Sequence, residues 1–239
     1  MYLSYKPLGE TPLEHLNKLK KDGKLKEKCC YAGRLDPMAH GLMIYLMNDE
    51  CKNVSNYLGL DKTYKFKIAF GINTDTYDIL GKITSVSNQY PKCSDIMNNL
   101  HKFTGNIKQK YPPYSSYHVD KKPLWEHSKN NNIKNINIPE KTVKINSIKL
   151  SGSNIINFED FRENVIHKIN LMNSKTFRND EIINDWKSVE LDNIFIVELE
   201  ANVESGTYIR SICYQMGKLF GSGAIAYDIL RIKIGNYNL

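Results

Sequence analysis

Polar and apolar positions alternate most cleanly between Tyr64 and Phe70. Tyr64, Phe66, Ile68 and Phe70 fall on one side, Lys65, Lys67 and Ala69 on the other. A period of two predicts a strand with one apolar face. Phe195, Val197, Leu199, Ala201 and Val203 predict another in the same way. Leu230, Ile232 and Ile234, with Arg231 and Lys233 opposite, predict a last strand near the C-terminus. The unbroken run Leu42-Met43-Ile44-Tyr45-Leu46 reads as a buried strand. Shorter strands are expected at Met1–Ser4, as an edge, at Lys82–Val86, and from Val143 and Ile145 onward.

Helical spacing marks the segments between. Thr11-Pro12-Leu13-Glu14 has the form of a capping box with proline at the first helical position, ahead of a stripe of Leu13, Leu16 and Leu19. A second helix is expected over Asn48–Gly59, with Val54 and Leu58 inward. A third, capped by Ser94, turns Ile96, Leu100 and Phe103 inward. Residues 151–192 are polar and Asn-rich, with one amphipathic helix through Phe158, Phe161, Val165 and Ile169. They read as an insertion packed on the side of a main domain. Residues 130–137, also Asn-rich, read as a flexible crossing. Ser205-Gly206-Thr207 precedes a helix whose stripe is Ile209, Ile212, Met216 and Leu219.

A chain of 239 residues has room for a sizeable core. Its 33 Lys and Arg against 26 Asp and Glu leave a formal charge of +7, which favours a polyanionic partner. The N-terminus shows no signal peptide, and no apolar run reaches the ~20 residues that span a bilayer. Five irregularly spaced cysteines suggest neither a disulfide framework nor a zinc site, and fit a reducing, cytoplasmic compartment.

Three side chains stand out for chemistry. Pro37 pushes Asp36 away from helical geometry, so this acid sits on a stiff loop between Gly33 and Gly41, at the mouth of the buried strand. Tyr64 opens the alternating strand on its apolar side; most such tyrosines are core aromatics with a wet hydroxyl. Arg210 falls in the first turn of a helix, where the dipole disfavours a cation, so it is expected to have a specific acidic partner. An arginine beside an aspartate fixes its direction and favours its charged form, which suits a nucleophile. Thr74-Asp75-Thr76-Tyr77-Asp78 has too few oxygen ligands for a metal loop and reads as a hydrogen-bonded turn. Residues 109–128 interleave tyrosines, Trp125, lysines and prolines. That mixture suits either stacking on unpaired bases or a long loop pinned by its own aromatics.

The stretch Gly33-Arg34-Leu35-Asp36-Pro37-Met38-Ala39-x-Gly41 resembles the catalytic motif of TruB-type pseudouridine synthases, which isomerise uridine in the T loop of transfer RNA. Asp61-Lys62-Thr63-Tyr64 is similar to the segment carrying that family's tyrosine, and Gly206-Thr207-Tyr208-Ile209-Arg210 to the one carrying its arginine. Lys6-Pro7-x-Gly9, Gly71-x-x-Thr74-Asp75-Thr76-x-Asp78-x-x-Gly81, and Pro113-x-Ser115-Ser116 with Lys122-Pro123-Leu124 match further family segments in order. The chain departs from the pattern at Tyr31, where many relatives have His, and at His40, where they have Thr or Ser.

The resemblance implies an α+β pseudouridine synthase fold, with a mixed, mostly antiparallel central sheet flanked by helices. It implies one catalytic domain over 1–239, interrupted by the insertion at about 151–192. The chain stops after its last strand, so the family's C-terminal PUA domain is expected to be missing. The implied activity is isomerisation of tRNA uridine 55 without metal or organic cofactor. Asp36 is then the nucleophile, Tyr64 stacks on the base or moves a proton, and Arg210 pairs with Asp36. Lys6, Tyr31, Arg34, Lys121, Lys122 and Tyr208 are the expected RNA contacts. The expected partner is the tRNA T stem-loop, bound by a monomer. The alternatives are a synthase for another RNA and a non-catalytic RNA-binding or tRNA-folding module.

Overall fold

The computed structural model of the chain describes residues 1–130, 132–172 and 177–239. Asn131 of the expected flexible crossing and residues 173–176 of the expected insertion lie outside the described residues.

In chain order the strands are β1 (Tyr2–Lys6), β2 (Cys29–Tyr31), β3 (Ala39–Met47), β4 (Lys62–Phe70), β5 (Ile72–Thr74), β6 (Ile83–Val86), β7 (Gly105–Lys110), β8 (His118–Val119), β9 (Lys122–Pro123), β10 (Glu140–Asn157), β11 (Asn193–Val203), β12 (Ala224–Ile234) and β13 (Tyr237–Asn238). The α-helices are α1 (Pro12–Lys21), α2 (Val54–Leu58), α3 (Cys93–Asn99), α4 (Leu124–Lys129), α5 (Phe158–Asn170), α6 (Asn179–Ser188) and α7 (Ile209–Phe220). A nine-stranded sheet runs β1-β3-β12-β4-β11-β10-β7, with β2 added on β3 and β13 on β12. Its strand pairs are antiparallel except β3 with β12. This is the mixed, mostly antiparallel α+β architecture expected.

Local chemistry accounts for several elements. In α1 the Thr11 hydroxyl accepts from the Glu14 N–H at 3.1 Å, and the Glu14 carboxylate accepts from the Thr11 N–H at 2.7 Å. This closes the capping box and satisfies two otherwise free donors. β4 lies between β12 and β11, with Tyr64 opposite Arg231 on one side and Ala201 on the other. Its apolar face joins a single core with Leu16, Phe161, Trp186 and Ile212.

Some helical expectations give way to shorter or shifted elements. Asn48–Gly59 splits into a 3₁₀ turn, Asn48–Asn53, and the five-residue α2. One turn is too short to bury a stripe, and Leu58 is exposed. Leu13 and Leu219 are exposed as well, while Leu16, Leu19, Ile209, Ile212 and Met216 are buried. The residue capping α3 is Lys92, not Ser94. Residues 151–157 continue β10 along β11, and α6 adds a second helix to the one expected at 158–170. Trp186 of α6 is fully buried and donates its indole N–H to the Ile79 carbonyl at 3.3 Å. Arg231, expected on a polar face, is instead 1% exposed: it stands opposite Tyr64, on the side that β4 turns to the core, and the register of β12 shifts just beyond it.

Candidate active site

Asp36 sits on the loop joining β2 to β3. Three backbone bonds pin this loop: Ala32 N–H to the Ile44 carbonyl at 2.9 Å, Ala39 N–H to the Asp36 carbonyl at 3.0 Å, and Gly9 N–H to the Pro37 carbonyl at 3.0 Å. Gly33 takes a φ of +96°, open to a residue without Cβ. Just beyond, at Gly41, φ is +116°, and an added Cβ would lie 2.3 Å from the Arg231 carbonyl oxygen. That close approach is where β3 meets β12 in parallel.

Arg210, at the start of α7, reaches this loop across 174 residues of sequence, its Nε donating to Asp36 Oδ2 at 2.7 Å. Its two terminal nitrogens donate to the carbonyls of Thr76 at 2.8 Å and Tyr114 at 3.2 Å. Asp78 Oδ2 lies 3.4 Å from the same Nε. One buried guanidinium thus joins two carboxylates and two backbone segments. Burial opposes the charge on Arg210, but Asp36 and Asp78 outweigh it and raise the pKa further. Asp78 is buried and accepts from the Thr76 hydroxyl at 2.6 Å and the Leu80 N–H at 2.8 Å. Burial still pushes its carboxyl up to about 6, against the pull of Arg210 and Thr76. Asp36 differs in having its side chain 36% exposed, so one carboxylate of the pair faces open space.

Two cavities meet at Asp36. The smaller, about 290 Å³, is lined by Asp36, Arg34, Tyr64, Tyr114, Tyr208, Ile229 and Arg231 among others. The larger, about 590 Å³, has Leu13, Tyr31, Arg34, Asp36, Trp125 and Arg178 on its walls. Asp36, Tyr64 and Arg210 therefore converge on adjoining cavities, with Tyr64 lining the smaller one and Arg210 the larger. Among the expected RNA contacts, Tyr31, Arg34 and Tyr208 also lie on cavity walls.

Lys121 and Lys122 do not line either cavity. They are exposed on the tight β8–β9 hairpin, and Lys122 pairs with Glu126 at 3.2 Å. Lys6, expected to contact RNA, turns inward instead. It is fully buried, and its amine donates to the carbonyls of Pro7 at 2.9 Å and Glu10 at 2.7 Å. The charge ties β1 to the segment before α1 and has no surface to offer a phosphate. Next to the smaller cavity, Tyr111 stacks on Tyr117 with ring centroids 3.9 Å apart. Lys141 lies 4.8 Å from the Tyr111 ring and 5.1 Å from that of Tyr208. The aromatic loop thus pins part of itself and still leaves Tyr117 exposed.

Sequence reasoning missed Asp78 as a partner of Arg210, reading it as part of a turn. It is both, and the signal was its place in the Gly71–Gly81 segment. Arg231 was missed because alternation along β12 placed it outside. Among the described residues, no group of three or more His, Cys, Asp or Glu side chains is arranged to hold a metal ion. No helix among them is long and apolar enough to cross a membrane.

The model of the family "TruB family pseudouridylate synthase (N terminal domain)" matches residues 20–167. The chain is 30% identical over 236 residues to tRNA pseudouridine synthase B of Fusobacterium nucleatum, covering 98% of this chain and 67% of that protein. It is 27% identical over 229 residues to the protein of the same name in Aquifex aeolicus, covering 96% of this chain and 66% of that one. With tRNA pseudouridine synthase 4 of Schizosaccharomyces pombe it shares 25% identity over 296 residues, covering 98% and 72%. The chain thus spans about two thirds of the length of these curated relatives. A chain of a crystallised Cbf5-Nop10-Gar1 complex shares the fold, with a TM-score of 0.60 at 19% identity, over 98% of this chain and 48% of that one.

Proposed function

The chain belongs to the TruB family of pseudouridylate synthases, and from that premise we propose that it converts uridine to pseudouridine in transfer RNA, at position 55 of the T loop. The observation that carries this reading is the Asp36–Arg210 contact of 2.7 Å at the meeting of two cavities, one of which Tyr64 lines.

In this reading the target uridine leaves its stack and enters the smaller cavity. Asp36, held by Arg210 and open on its other side, is the nucleophile: the bond its carboxylate forms to the uridine is broken again by the time C5 has joined C1′, which returns the carboxylate. The bond between N1 of the base and C1′ of the ribose breaks. The base turns, a bond forms between C5 and C1′, the proton leaves C5, and N1 ends protonated. Atoms balance without any redox change. Tyr64 supplies an apolar ring for the base and a hydroxyl for the proton at C5. Tyr31, Arg34 and Tyr208 contact the RNA around the flipped nucleotide, and Lys121 and Lys122 meet its backbone farther out. The T stem-loop is bound by a monomer, in a reducing cytoplasmic compartment where the five cysteines stay free.

The test is to incubate the protein with unmodified tRNA transcripts and map pseudouridine by chemical sequencing. Product at uridine 55 is the expected outcome. Product elsewhere removes the position only, and no product from any RNA removes the enzyme.

A further inference from the structure

The two carbonyls that hold Arg210 belong to segments that a second arginine grips from outside. Arg178 stands immediately before α6, in the stretch that the sequence reads as an insertion. One of its terminal nitrogens donates to both oxygens of the Asp75 carboxylate, at 2.9 and 3.3 Å. Its guanidinium carbon also lies 4.8 Å from the centre of the Tyr114 ring. Asp75 directly precedes Thr76, and Thr76 and Tyr114 are the residues whose carbonyls accept from Arg210. The two partners of Arg178 are neighbours: burial and the Asp75 charge together push the Tyr114 phenol up to about 12.

Helix α6 presents Arg178 from a fixed base. Its Ile182 and Trp186 are buried, and its Glu181 pairs with Lys82. The Lys82 N–H in turn donates to Asp75 Oδ1 at 2.8 Å, so α6 is tied to Asp75 through two routes. The Arg178 and Asp75 side chains are only 23% and 27% exposed, which shields their contact from much of the solvent.

A guanidinium that serves a carboxylate and a ring face together is fixed in direction by both, and a lysine amine cannot reproduce the pair. We propose that Arg178 is a positioning residue of the site. It clamps the turn at 74–78 against the Tyr114 segment, sets the spacing of the two carbonyls that receive Arg210, and so aims Arg210 at Asp36. Arg178 acts through Arg210 and touches no reacting atom. The inference rests on the functional reading above and deepens it, because it makes a side chain of the polar 151–192 stretch part of the catalytic support.

The test is a double-mutant cycle of Arg178→Met with Arg210→Lys, read in single-turnover assays on T stem-loop RNA. Arg178→Met should lower the maximal rate about tenfold and leave the half-saturating concentration within about twofold. In the Arg210→Lys background the same change should cost less than about twofold, because lysine cannot reach both carbonyls that Arg178 aligns. An unchanged maximal rate, with or without weaker RNA binding, overturns the clamp. An equal loss in the two backgrounds also overturns it. Melting temperatures report whether each variant folds. If Arg178→Met does not, Asp75→Asn, which keeps the shape and removes the charge that Arg178 pairs with, takes its place in the same cycle. A native protein that makes no pseudouridine overturns the functional reading instead. The clamp is then judged by urea unfolding of the same four proteins, where non-additive midpoints keep it and additive midpoints overturn it.

Discussion

Arg210 holds two carboxylates at once through the same nitrogen, Asp36 at 2.7 Å and Asp78 at 3.4 Å. The two acids live differently. Asp78 is closed off, whereas the Asp36 side chain is 36% exposed. One secures the arginine in the core, and the other is offered to whatever fills the cavities. The loss of each group should therefore show in a different measurement.

Asp36→Asn keeps the shape of the side chain and removes its charge. We expect pseudouridine formation to vanish and tRNA binding to stay within a few-fold of native. Turnover measured beside filter binding checks this. Retained turnover would mean that another group is the nucleophile.

Arg210→Ala leaves Asp78 buried without a counter-charge, a loss of about 3–5 kcal/mol in urea denaturation. The damage is thus structural as well as catalytic, although sequence alone points to catalysis. Arg210→Lys is the sharper probe. It keeps a cation but cannot serve the Thr76 and Tyr114 carbonyls together with Asp36. A folded but slow enzyme is expected, and full activity in the lysine variant would show that the fork is dispensable.

Asp78 makes stability depend on pH. Burial lifts its carboxyl to about 6 in the folded chain, above the ~3.9 of an unfolded aspartate. The folded state therefore holds this proton more tightly. The contribution is fully present below about pH 4 and is lost as pH rises towards 6. Melting curves across that window should show the decline in the native protein and a flatter profile in Asp78→Asn. Asp228 acts in the opposite sense. Although burial opposes it, bonding to His40 and Lys168 holds its carboxyl down at about 2, so its contribution is lost as pH falls below about 4.

Gly41→Ala should destabilise the protein by about 3 kcal/mol, since a positive φ and a backbone collision coincide there. The new Cβ would meet the Arg231 carbonyl oxygen at 2.3 Å. An unchanged urea midpoint would show that β3 and β12 can separate without loss.

Much of this architecture is legible from local rules. The capping box at Thr11, the alternation along β4 and β11 and the apolar run in β3 each reflect neighbours close in sequence. Asp36, Tyr64 and Arg210 stand out for the same reason, through Pro37, a strand start and a helix dipole. What local rules miss is set by partners far away. Alternation along β12 puts Arg231 outside, because nothing nearby says that the register will shift between Arg231 and Lys233 and set Arg231 opposite Tyr64. Asp78 looks like a turn residue until the fold delivers Arg210, and the Lys6 charge looks solvated until its carbonyl partners close over it. Helix α6 hides in a polar segment because its buried side is carried by few large residues, Ile182 and Trp186.

The parallel pairing of β3 with β12 sets a timetable for synthesis on the ribosome. β12 occupies the middle of the sheet, between β3 and β4, yet it is made after both of these neighbours and after β11, β10 and β7. While the chain is still emerging, the early strands must wait with a vacant seam between them. The loop bearing the acid cannot be locked before that seam closes, so a nascent chain should be catalytically silent and dependent on protection from aggregation until β12 has emerged.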